Sequence, residues 1–89
     1  MGKRLNETLE YLGNDYSIKR IDLEQCIYRK ISNKFDIEIS GLNARGRKFS
    51  TDVYVWDISN GSQIIEIFKC DSKENLKSTL NEILLKYSD

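Results

Sequence analysis

Four carboxylates on neighbouring predicted strands are the side chains of this chain best suited to chemistry. Asp36 and Glu38 stand two positions apart in an alternating stretch, so both project from the same face of a strand. Asp52 and Glu66 lie on strands expected to pair nearby. Carboxylate oxygens bind Mg²⁺, so this group is compatible with a magnesium-dependent enzyme. We favour the simpler interpretation, in which alternating acids hydrate the open face of a half-buried sheet.

The composition argues against other catalytic and metal-binding classes. The chain contains no histidine, which rules out Ser–His and Cys–His nucleophilic pairs. Cys26 and Cys70 are the only cysteines, whereas a structural zinc site needs four nitrogen or sulfur ligands. Neither glycine-rich phosphate-binding motif occurs in the sequence. We therefore predict a protein that is not an enzyme and that binds no metal ion or cofactor.

The most basic stretch is residues 43–48 of a glycine-bounded loop at residues 41–48, with cationic side chains at Arg45, Arg47 and Lys48. Such a loop can contact phosphates, and bases stacking on a nearby aromatic ring would complete a nucleic-acid-binding module. However, the chain's 14 basic residues are balanced by 14 acidic ones, and nucleic-acid-binding domains are usually strongly basic. Nucleic-acid binding is therefore the second hypothesis.

Two aromatic residues, Tyr54 and Trp56, alternate with Val53 and Val55 on a predicted strand. Adjacent strand positions point to opposite faces, so the valines and the aromatics cannot both lie beneath helices. The aromatic pair is either core or a partner surface, and Tyr and Trp are enriched at binding hot spots. Our first hypothesis is binding of a protein partner or a second copy of the chain. The residues of that predicted surface are Tyr54, Trp56, Asp36, Glu38, Asp52 and Glu66.

Helical spacing of apolar residues marks both ends of the chain. Leucines at positions 5, 9 and 12 predict a helix over residues 3–12, ended by Gly13-Asn14. An acidic cap at Asp71, with Glu74 three residues later, predicts the start of a second helix. Its apolar face is formed by Leu76, Leu80, Ile83, Leu84 and Tyr87.

The segment between the helices has the alternation typical of strands. Phe35, Ile37 and Ile39 alternate with polar residues, which predicts one buried and one wet face. Asn60-Gly61 is typical of a tight hairpin turn. The predicted strands cover residues 16–21, 25–31, 34–40, 49–58 and 62–69.

These elements predict an α+β fold of two layers, with an N-terminal helix, an antiparallel sheet of four or five strands and a C-terminal helix. At 89 residues the chain should form a single domain over residues 1–89. Both helices should pack on one sheet face and leave the other partly solvated. No apolar run is long enough for a membrane span or a secretory signal, so we expect a cytoplasmic protein with reduced thiols. The abundance of Ile, Lys and Asn is typical of AT-rich bacterial or phage genomes.

The order of elements resembles that of the double-stranded-RNA-binding domain, in which a helix precedes and follows an antiparallel sheet. That family carries a lysine cluster at the start of its second helix. The corresponding stretch here, residues 71–75, reads Asp-Ser-Lys-Glu-Asn and lacks this phosphate-binding element. We therefore assign the chain to no family.

Overall fold

A computed structural model describes residues 3–21, 23–42, 48–59 and 61–87 of the chain. Two helices enclose five strands in the sequence. In chain order the elements are α1 (Lys3–Leu12), β1 (Ser17–Ile21), β2 (Glu24–Lys30), β3 (Phe35–Ser40), β4 (Thr51–Asp57), β5 (Gln63–Cys70) and α2 (Lys73–Tyr87). The predicted α+β architecture is confirmed, with five strands in the sheet.

The five strands form one antiparallel meander in the order β1-β2-β3-β4-β5. Each strand pairs with its neighbour in sequence, because short turns join antiparallel strands without a crossover. Strands β1 and β5 are the two edges. The three central strands therefore carry most of the surface that the helices can cover.

The core lies between one face of this sheet and the two helices. Burying its aliphatic side chains removes apolar surface from water, at about 25 cal/mol per Å², and this is the main stabilising contribution. The sheet contributes Ile27, Ile37, Ile39, Val53 and Val55, and the helices contribute Leu5, Leu76, Leu80 and Ile83, all of them buried. We call this side of the sheet the helix face and the opposite side the open face.

Local hydrogen bonds satisfy backbone groups at the C-terminal end of α1 and at the N-terminal end of α2. Helix α1 ends as predicted at Gly13, which has a φ of 99° and donates its N–H to the Leu9 carbonyl at 3.0 Å. Helix α2 is capped by Ser72 rather than Asp71, since the Asn75 N–H donates to Ser72 Oγ at 2.9 Å. The Asn75 side-chain oxygen accepts a hydrogen bond of 3.4 Å from the Asp71 N–H. Asn75 is therefore the polar residue three positions after the cap, the role predicted for Glu74.

An irregularity in β5 changes which of its side chains share a face. The register between β4 and β5 shifts at Val55 and Trp56, where Val55 pairs with Glu66 and Trp56 pairs with Ile64. Ile65 is the extra residue of this bulge. The bulge therefore separates two residues that a regular strand would place on the same face: Ile64 shares a face with Trp56, while Glu66 lies on the helix face.

The hairpin between β4 and β5 is present, but its connection is longer than a two-residue turn. Strand pairing ends at Asp57 and Gln63, which are six positions apart in the sequence. Gly61 has a φ of 76°, as the predicted turn requires, while Asn60 lies outside the described residues. Neither α1 nor α2 has the length and hydropathy needed to cross a bilayer, as judged over the described residues.

Candidate functional site

The open face carries five of the six residues predicted for a partner surface. Cross-strand pairing aligns Asp36, Trp56 and Ile64 in one row, and the next row contains Glu38, Tyr54 and Ile67. Asp52 lies in a third row, opposite Ser40 and Lys69. Antiparallel partners point to the same side of a sheet, so these rows form one continuous surface.

The structure shows which residues of β4 lie beneath the helices. Val53 and Val55 are fully buried on the helix face. Tyr54 and Trp56 therefore lie on the open face, where both are half-buried although no helix covers them. The Trp56 indole N–H donates a hydrogen bond of 2.9 Å to Glu38 Oε1, which holds the ring against the sheet.

Glu38 is the most deeply buried acid described on the open face, with 8% of its surface exposed. The wet face predicted for β3 is therefore wrong at this residue and at Ser40, which is also buried. Side chains from neighbouring strands cover Glu38: Trp56 contacts Oε1, and the Cys26 thiol lies 3.6 Å from Oε2. A sequence signal was present, because tryptophan is a donor only and a half-buried indole needs a nearby acceptor.

Asp36 lies beside a tyrosine and two lysines on the same face. The Tyr28 hydroxyl and the ammonium groups of Lys19 and Lys30 are close enough to Asp36 to act on its charge. Partial burial nevertheless raises the pKa of the Asp36 carboxyl, and the nearby hydroxyl and the two lysines oppose that rise. Burial, followed by the nearby Asp36 carboxyl, also raises the pKa of Tyr28. The Lys19 ammonium lies 4.3 Å from the centre of the Tyr28 ring.

Glu66 does not lie on the open face with the other residues of the predicted partner surface, contrary to the sequence prediction. Because the β5 bulge places it on the helix face, its carboxylate accepts hydrogen bonds from Lys86 and Tyr87 of α2. These two bonds, first that of Lys86 and then that of Tyr87, lower the pKa of Glu66. Glu66 therefore connects β5 to α2. Asp52 does lie on the open face, with its Oδ1 3.6 Å from Lys69 Nζ in an exposed ion pair.

Two concavities open on this face, and both are lined by Glu38, Trp56 and Ile21 of the edge strand β1. The first, of about 300 Å³, lies on the side of Asp36 and Lys19. The second, of about 340 Å³, has Glu24 on its wall, and we call it the acidic pocket. Glu24 was not singled out from the sequence; its Oε2 accepts the Gly41 N–H at 2.8 Å.

The remaining polar residues do not form a recognisable centre. Arg45 and Arg47 of the basic loop lie outside the described residues. Lys48 is exposed, and its carbonyl accepts a hydrogen bond of 3.2 Å from Arg4. Within the described ranges, no three Cys, Asp or Glu side chains are grouped closely enough to hold a metal ion. The four carboxylates of the magnesium hypothesis are not gathered at one place, because Glu66 faces α2.

The comparisons with known proteins add no identification. No protein-family model matches the chain, and neither a curated protein nor a solved structure shows a significant similarity to it.

Proposed function

We propose that this chain is a non-catalytic binding module that takes up a partner protein on its open face. The observation that carries the proposal is a continuous apolar surface without a helix over it. Ile67 is 57% exposed and Ile64 is 44% exposed, and both adjoin the half-buried rings of Tyr54 and Trp56. A contiguous apolar patch with polar groups at its margin is typical of an interaction surface.

Leu23 supplies a second, independent argument for a partner at this side of the sheet. It lies in the turn of the β1–β2 hairpin, between Ile21 and Glu24 of the acidic pocket, and it is 88% exposed. Its φ of 69° is unfavourable for leucine, since a left-handed backbone costs about 1–2 kcal/mol for residues with a β-carbon. An exposed, strained apolar side chain suits a contact with another molecule better than it suits the isolated fold.

Charge favours a protein over a nucleic acid as the partner. The open face lacks the excess of positive charge with which proteins hold phosphates, since its lysines do not outnumber its carboxylates. The lysines are Lys19, Lys30 and Lys69, and the carboxylates are Glu24, Asp36, Glu38 and Asp52. A protein partner can match such a surface with its own lysines and arginines. We also propose a cytoplasmic location, supported by Cys26 and Cys70, whose thiols are buried and form no disulfide with each other.

Site-specific photo-crosslinking tests this function. A photoreactive phenylalanine analogue replaces Ile67 in one variant and Leu85 in another; Leu85 is 84% exposed on the outer side of α2 and serves as the matched control. We expect the Ile67 position to capture a discrete protein, which is then identified, purified and titrated against the chain. Ile67→Asp should raise the Kd of this complex at least tenfold, as expected at an interface hot spot. Leu85→Asp should change the Kd less than about twofold.

Leu23→Asn provides a second test within the same assay. Asparagine tolerates the left-handed backbone, so this variant should fold at least as stably as the natural chain while binding the partner more weakly. Equal losses of binding in Ile67→Asp and Leu85→Asp would contradict the proposal.

The other candidate functions give different results in the same set of experiments. If the captured partner is a second copy of the chain, sedimentation should show a dimer that Ile67→Asp dissociates. Binding to mixed oligonucleotides that falls steeply with salt would instead support the nucleic-acid hypothesis, provided that it is lost on replacing Arg45, Arg47 and Lys48 by alanine. A Mg²⁺-dependent activity lost in the double variant Asp36→Ala/Glu38→Ala would support the enzyme hypothesis.

A further inference from the structure

The acidic pocket differs from the neighbouring concavity in the balance of its charges. Glu24 and Glu38 both line it, and none of the described residues on its wall is basic. The neighbouring concavity contains Lys19 and Arg20 beside its acids. Over the described part of the chain, no lysine or arginine forms an ion pair with Glu24 or Glu38. The acidic pocket thus has negative charge that the described residues leave without a cation.

Hydrogen bonds hold both carboxylates in place. Glu24 Oε2 accepts the Gly41 N–H at 2.8 Å, and Glu38 Oε1 accepts the Trp56 indole N–H at 2.9 Å. A carboxylate has about four acceptor sites, so each group keeps capacity for a further donor. A fixed acceptor loses little entropy when a ligand binds, which is the advantage of a preorganised site.

Burial strengthens the case for a cationic ligand at Glu38. A carboxylate that is more than nine-tenths buried has lost most of its hydration, and its neutral partners, an indole N–H and a thiol, replace that hydration only in part. A positive charge brought beside Glu38 would compensate for the lost hydration. The low local polarity would also make that attraction stronger than it is in water.

The walls of the pocket suit an organic cation rather than a bare metal ion. Tyr54 and Trp56 contribute aromatic rings, which attract cations to their faces. Ile21 and Ile64 contribute aliphatic surface that would contact the methylene groups of a lysine or arginine. A volume of about 340 Å³ is at the small end of the range for ligand pockets.

We infer that the acidic pocket receives a lysine or arginine side chain of the partner protein. This inference rests on the proposed function, and it specifies the chemistry by which the partner is recognised. The cation is placed between Glu24 and Glu38, and its aliphatic stem lies along Ile21 and Ile64. The exposed isoleucines of β5 then form the surrounding apolar contact.

Small probes test the pocket without the partner. The probes are Nα-acetyl-lysine methylamide and Nα-acetyl-arginine methylamide, with the norleucine and citrulline analogues as uncharged controls of similar shape. Trp56 is the only tryptophan of the chain, so its fluorescence reports on the pocket, and amide NMR shifts locate the binding. We expect saturable binding of the cationic probes that is at least fivefold tighter than that of their uncharged controls.

Three charge-neutralising variants locate the effect. Glu24→Gln and Glu38→Gln each keep an oxygen that can accept the existing hydrogen bond, so both variants should fold. Each should weaken the binding of the cationic probes at least fivefold. Glu82→Gln removes the same charge from the exposed surface of α2 and should leave probe binding unchanged. Equal binding of charged and uncharged probes would overturn the inference, as would equal losses in all three variants.

The two proposals can fail separately. If Ile67→Asp abolishes partner binding while Glu24→Gln and Glu38→Gln do not affect it, the open face is the interface and the pocket inference is wrong. If the cationic probes bind as expected but Ile67→Asp leaves partner binding intact, the pocket stands and the proposed function is wrong. If spermidine binds more tightly than either amino-acid probe, the ligand of the pocket is a free polyamine and not a side chain of the partner, and the inference is wrong.

Discussion

The two faces of the sheet exclude water by different means. On the helix face, two amphipathic helices cover aliphatic side chains such as Ile37 and Val55. On the open face, Glu38 is almost as inaccessible as these residues, although neither helix lies over it. It is covered by its own cross-strand neighbours, among them Trp56. One face is therefore buried by tertiary packing of separate elements, whereas on the other only single residues such as Glu38 are covered, by side chains of the sheet itself.

This difference explains why the open face is the better candidate for function. Aliphatic packing between layers contributes stability and leaves few polar groups within reach of a ligand. The open face combines a buried carboxylate, aromatic rings and exposed isoleucines, an arrangement that isolated folding does not require.

The largest expected effect is on the stability contributed by the helix face. Ile37→Ala removes a fully buried side chain from the core and should lower the free energy of unfolding by about 2–5 kcal/mol. Ile67→Ala, the same change on the open face, should cost less than about 1 kcal/mol because Ile67 is already exposed. Urea denaturation of both variants measures the two values. Similar losses would contradict the assignment of the core to the helix face.

An intermediate effect is expected at Glu38. Glu38→Ala leaves the Trp56 indole N–H without its acceptor and should lower the free energy of unfolding by about 1–3 kcal/mol. Glu38→Gln keeps an acceptor oxygen and should lose less than half of that amount. Urea denaturation gives the energies, and Trp56 fluorescence should change more in the alanine variant. Equal losses in the two variants would show that the hydrogen bond contributes nothing measurable.

The smallest expected effect is on pH dependence, where the two faces have opposite signs. The pKa of Glu66 is lowered by Lys86 and Tyr87, so its contribution is present above its unfolded pKa and is lost as pH falls through its folded pKa. The pKa of Asp36 is raised by burial, so the folded state binds its proton more tightly. Stability should therefore fall as pH rises from the unfolded to the folded pKa of Asp36.

Unfolding free energies measured between about pH 3 and pH 7 test both signs, since that interval spans the usual carboxyl range. Glu66→Gln should reduce the loss of stability on acidification. The unfolding free energy of Asp36→Asn minus that of the natural chain should be greater near pH 7 than near pH 3. Both effects should be modest because these side chains are partly exposed, and the effect at Glu66 should shrink with added salt. Shifts of the same sign in the two variants would contradict the contrast.

Local patterns were sufficient to predict most elements. The leucine spacing of α1, the alternation of β3 and the apolar stripe of α2 each predicted an element that is present. The predictions failed where a residue's environment depends on a neighbouring strand. The bulge at Ile65 moved Glu66 to the helix face, and the cover provided by Trp56 turned Glu38 from a wet residue into a buried one.

The sequence by itself determined the element order, the antiparallel sheet and the absence of histidine chemistry, because periodicity, turn residues and composition are local properties. Tertiary structure alone decided that the valines of β4 face the helices and that Tyr54 and Trp56 face outward. It also decided that Glu24 and Glu38, which are 14 positions apart (38 − 24), line the same pocket. The physical reason is that strand register brings together residues distant in the chain, and a single bulge shifts that register by one residue.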